Sequence, residues 1–346
     1  MAKATSPKVN VDVLTLNFMR DKEVFADAFN LRLFGGDPVI RSENLTELDT
    51  TMFHIGHGRG IPGISLKKQR DILRKCLIYY DERNIYCILG VENQYVLDIM
   101  MPIRALIYDA LAYYRQILDA QAEAKKQKSE GKSVDIDIIT KVPKDFRLMP
   151  VILLVCNFGP TPWSVPTHLH EMLTHVPTDI LRYVPDHFYL LLDFHTLSRQ
   201  ERRKLRSELQ LCADCFRLRK DRKQLNNLIK NDSRIADISL AAAELLNGIL
   251  NMRLNLDKTK ERVNMCQAMD ELLAQRENEG QRKGRKEGRK EGRKAGIKEG
   301  EKRARHEGVI NLLKLGVLSR TAIAKAMHVS YSTVKTLADS LTAQPT

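Results

Sequence analysis

The sequence predicts an α/β protein, a mixed sheet flanked by helices, followed by an all-α C-terminal extension. Three observations predict it. Two β-rich runs, 72–80 and 85–92, flank a short polar turn; two apolar runs, 151–156 and 189–194, suit strands buried on both faces; and helical periodicity dominates from Ser198 onward.

In chain order, DKEVFADAFNLRLF (21–34) spaces Val24, Phe25, Ala28, Phe29 and Leu31 as one side of an amphipathic helix, which Gly35-Gly36-Asp37-Pro38 stops. Gly56, Gly58, Gly60 and Gly63 then break any long element. The runs on either side of Asp81-Glu82-Arg83-Asn84 read as a hairpin in which Tyr80 opposes Ile85. Pro102 opens a helix with apolar residues at 103, 106, 107, 110, 111 and 114. Residues 121–144 are polar and read as a loop or insertion. VILLVC (151–156) and YLLLDF (189–194) complete a strand–helix–strand order that argues for a mixed sheet.

Residues 1–200 therefore read as the α/β domain and 201–275 as a helical region. Residues 276–308 form a basic repeat, with glycine at 280, 284, 288, 292, 296 and 300 and Lys, Arg and Glu between. Glycine costs a helix roughly 1 kcal/mol per residue, so a marginal helix or solvated linker is expected there. Residues 309–346 resume apolar periodicity: Ile323 and Ala324 on one helix, a turn at His328-Val329-Ser330, and Val334 and Leu337 on the next resemble a helix-turn-helix, with Tyr331, Ser332 and Lys335 placed to meet DNA. A simple packed helical pair is the plainer alternative.

With 346 residues, 43% of them hydrophobic, the chain can build a sizeable core, and wholesale disorder is excluded. No run approaches the ~20 apolar residues of a membrane span, and the N-terminus carries no secretory pattern, so a cytoplasmic protein is expected. The six scattered cysteines then read as reduced thiols, with Cys212 and Cys215 sharing a helix face. The net charge of +13 points to nucleic acid as partner. The excess is uneven: Arg276 to His306 holds 13 basic and 6 acidic residues, about half the surplus. Those cations suit phosphates; a solvated tether with interspersed Glu is the alternative reading.

The hairpin carries the chemistry. Side chains alternate along a strand, so Asp71 on the first strand and Glu92 and Gln94 on the second share a face at its open end. Two converging carboxylates repel unless a cation lies between them, and oxygen donors of this kind suit Mg2+ or Mn2+. His168 and His170 sit among prolines in loop context, which argues against a zinc site, and Trp163 reads as a core anchor.

RDILRK (70–75), GVENQ (90–94) and MPIRALIYDALAYY (101–114) together resemble the Rpn family of recombination-promoting nucleases and transposases, within the PD-(D/E)XK nuclease superfamily. VFADAFN (24–30), LDTT (48–51), MPVILLVCNFGPTPW (149–163) and YLLLDFHTLS (189–198) extend the resemblance over residues 15–200 in the right order. It implies a PD-(D/E)XK nuclease-like sheet and a Mg2+-dependent DNA endonuclease linked to recombination or mobile elements. Asp71 and Glu92 would hold the metal. Gln94 stands where many superfamily members have Lys, so it can orient water or phosphate but supplies no charge. A helical acid often completes such a site, and Asp21 and Asp27 compete for that role. Arg104 and Tyr108, one turn apart, are candidates for the phosphate backbone, and the superfamily's habit of cutting both strands as a homodimer extends the expectation. A catalytically inactive DNA-binding or scaffolding descendant is the alternative.

Overall fold

A computed structural model describes residues 10–50 and 71–342. The glycine-rich segment 56–63 and the end of LDTT lie outside the described residues. Two compact units divide the chain, one up to Asp270 and the other from Glu271.

In the first unit, α1 (Val11–Met19) and α2 (Lys22–Phe34) precede the short strand β1 (Leu45–Glu47). Strands β2 (Ile72–Tyr80) and β3 (Arg83–Gln94) form the hairpin, and α3 (Met101–Ser129) leads to β4 (Val151–Asn157). A one-turn helix, α4 (Thr178–Leu181), precedes β5 (Leu190–Asp193). Among the described residues these strands form one mixed sheet in the order β1-β2-β3-β4-β5, antiparallel through β3 and parallel from β3 to β5. Helices α5 (Arg199–Lys204), α6 (Glu208–Arg217), α7 (Arg222–Asn231) and α8 (Leu240–Ile249) follow, with a two-stranded pair of β6 (Ile238–Ser239) and β7 (Arg262–Val263).

The sheet has an apolar layer on each face. Leu73 and Ile88 pack on Leu111 and Ala112 of α3, and further along Leu153 and Val155 pack on Met101 and Ala105. On the opposite face, Arg74 lies over the Phe25 ring of α2 at 4.6 Å. Residues 24–31 of α2 are all buried, so this helix is central rather than amphipathic. It stops where Gly35 enters the left-handed region; at Gly36, a Cβ would meet the Cβ of Lys204 at 2.6 Å. The polar stretch after residue 120 continues α3 to Ser129, correcting the expected loop: good helix formers sustain it without an apolar stripe.

The hairpin register also differs from expectation. Tyr80 opposes Arg83, not Ile85, across the two-residue turn Asp81-Glu82, whose φ values are 51° and 60°. Positive φ at both central residues matches the twist of the flanking strands. The shift is by two residues, so every side chain keeps its face.

In the second unit, α9 (Met265–Leu315), which starts within the first, is helical through the entire glycine repeat. Helices α10 (Arg320–Ala326) and α11 (Tyr331–Thr342) follow a turn apart. Val309, Ile323 and Val334 are fully buried together, with Ala324 and Leu337 packed against them. His328 holds φ 51° at the turn position where glycine is usual. Among the described residues, no helix is long and apolar enough to cross a membrane.

Candidate metal site

Register sets the site. Ile72 opposes Val91, so one step outward puts Asp71 opposite Glu92, on the face covered by α3. The Asp71 carboxylate accepts a hydrogen bond from the Asn93 backbone N–H at 2.7 Å, tying the start of β2 to the end of β3. Burial raises the Asp71 pKa, and the charge of Asp12 adds to that rise; the Asn93 hydrogen bond and Arg104 oppose it.

Glu92 is only 4% exposed. Its carboxylate accepts from Arg104 of α3 and, at 3.4 Å, from the Gln94 carboxamide. The Arg104 guanidinium also donates to Asp98 at 2.6 Å and to the Tyr108 hydroxyl at 3.1 Å. Burial works against the Arg104 charge, yet Asp98, Tyr108 and Glu92 more than offset it and raise its pKa. Burial and the Glu92 charge raise the Tyr108 pKa in turn. The sequence motifs around residues 71, 92–94 and 104–108 thus meet at one place.

The two candidates for a helical acid are engaged elsewhere. Asp21 caps α2 by accepting from the Glu23 and Val24 N–H groups at 2.8 and 3.0 Å. Asp27 is buried and accepts from the backbone N–H groups of Arg206 and Ser207 and from the Ser207 hydroxyl, anchoring the turn into α6. The helical acid whose charge reaches Asp71 is Asp12, in the first turn of α1. Its signal in the sequence is short: Asn10-Val11-Asp12, an N-cap followed by an acid.

A polar row extends the site across the sheet, since Gln94 opposes Asn157 and Asn157 opposes Asp193. Asn157 donates to Asp193 at 3.0 Å, and Asp193 accepts from the Trp163 backbone N–H at 2.9 Å. In the sequence Asp193 sits inside the apolar run 189–194, and Asn157 falls one residue beyond the run 151–156, so neither stands out as a polar site residue. Both are buried strand-end polar groups, and the loops after β4 and β5 satisfy them.

The donor set of Asp71, Glu92 and Gln94 consists of hard oxygens, which fits Mg2+, an ion that commonly takes one or two carboxylates and fills its remaining positions with water. Among the described residues, no group of three or more His, Cys, Asp and Glu side chains is placed to hold a metal, so any ion here would rest on the acid pair. His168 and His170 diverge: the first pairs with Asp186 at 2.7 Å and the second with the Val184 carbonyl at 2.7 Å. Cys212 and Cys215 are free, buried thiols with pKa raised by burial. Trp163 packs edge-on to Tyr189. Lys335 lies on the exposed side of α11. Compared with family models, curated proteins and solved structures, the chain matches none.

Proposed function

We propose that the protein is a metal-dependent DNA endonuclease with a PD-(D/E)XK-like site, acting in recombination or on mobile elements. The observation that carries this reading is Asp71 opposite Glu92 on one face of the β2–β3 hairpin, beneath Arg104 and Tyr108. Asp71 and Glu92 would hold Mg2+ or Mn2+, which when bound supplies an acidic water and a counter-charge for phosphate. The chain's own groups do the rest. Gln94 offers a carboxamide N–H to a phosphate oxygen or a carbonyl to a water. Arg104 carries the positive charge that the missing lysine would have supplied, and Tyr108 orients it through their hydrogen bond. Asp12 and the burial of Asp71 together raise the proton affinity of that carboxyl, and a bound cation relieves both.

The Arg104–Glu92 pair favours a second reading, a DNA-binding or scaffolding descendant in which the arginine has replaced the cation. Plasmid nicking separates the two. Nicking with Mg2+ that EDTA abolishes and Asp71→Ala removes supports the enzyme. Equal DNA binding without cleavage in Mg2+ or Mn2+ supports the scaffold.

A further inference from the structure

An open cleft of about 880 Å3 lies in the first unit beyond the end of β5, between α5, α6 and the segment that follows α7. Five arginines line it, Arg199, Arg202, Arg203, Arg217 and Arg234, against only two acids, Asp214 and Asp232. The acids are consumed in building the floor. Asp214 receives Arg202 at 2.9 Å and Arg234 at 3.4 Å, and Asp232 receives Arg234 at 2.6 Å. Gln210 ties the same two arginines together, accepting from the Arg234 guanidinium and donating to the Arg202 carbonyl. Arg199, Arg203 and Arg217 stand on the rim, exposed, and no ion pair among the described residues engages them.

Arginines 199 and 203 are one helical turn apart on α5, about 5–6 Å between Cβ atoms, comparable with the separation of successive phosphates on a nucleic-acid strand. The guanidinium fork favours phosphate oxygens. His195 also lines the cleft; burial and the nearby Arg219 and Lys220 charges lower its pKa, so the histidine adds a neutral hydrogen-bonding group. The Arg219 guanidinium lies against that imidazole and feels Tyr95 and Asp193, which places it between the cleft and the polar row of Gln94, Asn157 and Asp193.

We propose that this cleft is a binding site for the phosphate backbone of a nucleic-acid strand. Its volume far exceeds what one phosphate fills, which favours a chain over a small anion. Its lining holds no phenylalanine, tyrosine or tryptophan and only three leucines, so it lacks the aromatic anchors typical of a protein interface. The identity of the ligand rests on the DNA reading above, but the site itself makes no use of metal chemistry.

The test is fluorescence anisotropy of the full-length chain with a labelled DNA duplex, over a salt series, with EDTA present so that cleavage cannot intervene. R199Q/R203Q/R217Q is expected to lose about tenfold or more in affinity, and its slope of log K against log salt to fall by roughly 2–3, since each phosphate contact contributes about 0.9. R199K/R203K/R217K, which keeps the charge, is expected to retain most of that slope. The single R203Q, with a slope lower by about 1, serves if the triple variant shows an altered thermal midpoint. An affinity and slope unchanged in R199Q/R203Q/R217Q overturn the proposal. So does competition by inorganic tripolyphosphate as effective, per phosphate, as unlabelled DNA, which would mark a small-anion site instead. Neither result depends on whether Asp71→Ala abolishes nicking.

Discussion

Replacing Arg104 by Met would leave the Glu92 carboxylate buried without its main counter-charge. Breaking one partner of a buried pair costs about 3–5 kcal/mol, and because the Arg104 side chain keeps 23% of its exposure, the lower end is expected, about 3 kcal/mol. R104M/E92Q should recover much of that loss in a urea titration, since no uncompensated charge then remains. Asp71 carries the opposite liability. Its folded-state pKa is raised above the ordinary 3.8, so the native state holds that proton more tightly than the unfolded chain does. The stability this contributes is full below pH 3.8 and is lost as pH rises through the raised value. Asp71→Asn, which can still accept from the Asn93 N–H, should therefore be more stable than the native chain at pH 7, and the advantage should vanish toward pH 4. The native chain should gain stability from millimolar Mg2+, and Asp71→Asn should not.

At the level of elements, the β2–β3 turn and the α9 repeat depart furthest from what their residues favour. Glu82 sits at φ 60°, a conformation that costs an ordinary residue about 1–2 kcal/mol. Glu82→Gly should raise the urea midpoint, through a gain of about 0.5–1 kcal/mol in unfolding free energy once the greater freedom of the unfolded chain is deducted. In α9, a Cβ added at Gly288 or Gly292 meets nothing within 4 Å. G288A/G292A should stabilise that stretch by roughly 2 kcal/mol, read as amide exchange slowed by about 30-fold between residues 284 and 296. The turn also marks where the sequence misleads. Strands β4 and β5 were legible because parallel strands buried on both faces write continuous apolar runs. The hairpin was legible as a hairpin, but its turn carries no Asn-Gly signal, so the register came out two residues long. The Asp71–Glu92 face survived only because the error was even. Asp27 could not be assigned, because its partners, Arg206 and Ser207, lie some 180 positions away in the chain. Asp12 escaped because the spacing of α1 was not read as a helix, although Asn10 caps it.

Across the whole molecule, the +13 charge matters less than how the folded chain sorts it. In sequence the basic repeat intersperses Glu among Lys and Arg, which is what the solvated-tether alternative rests on. On the helix that α9 forms, positions four apart stack into columns drifting about 40° per step. One column is then entirely cationic: Arg282, Lys286, Lys290, Lys294, Lys298 and Lys302. Arg285, Arg289 and Arg293 flank it on one side, and the glutamates at 287, 291 and 299 fall in the neighbouring column. Like charges one turn apart destabilise an isolated helix by a few tenths of a kcal/mol per pair, a cost that phosphates would relieve. A ribbon of this kind gives an affinity that is strong at low salt and collapses as counterions compete. K286Q/K290Q/K294Q should lower the salt slope of duplex binding by roughly 2–3 and weaken binding several-fold at low salt. The same measurement on E287Q/E291Q should show tighter binding, because it removes two of the three glutamates in the column that repels phosphate. If alternation along the chain rather than sorting on the helix governs the tail, both variants will bind DNA with the native slope, and the cleft arginines will carry the salt dependence alone.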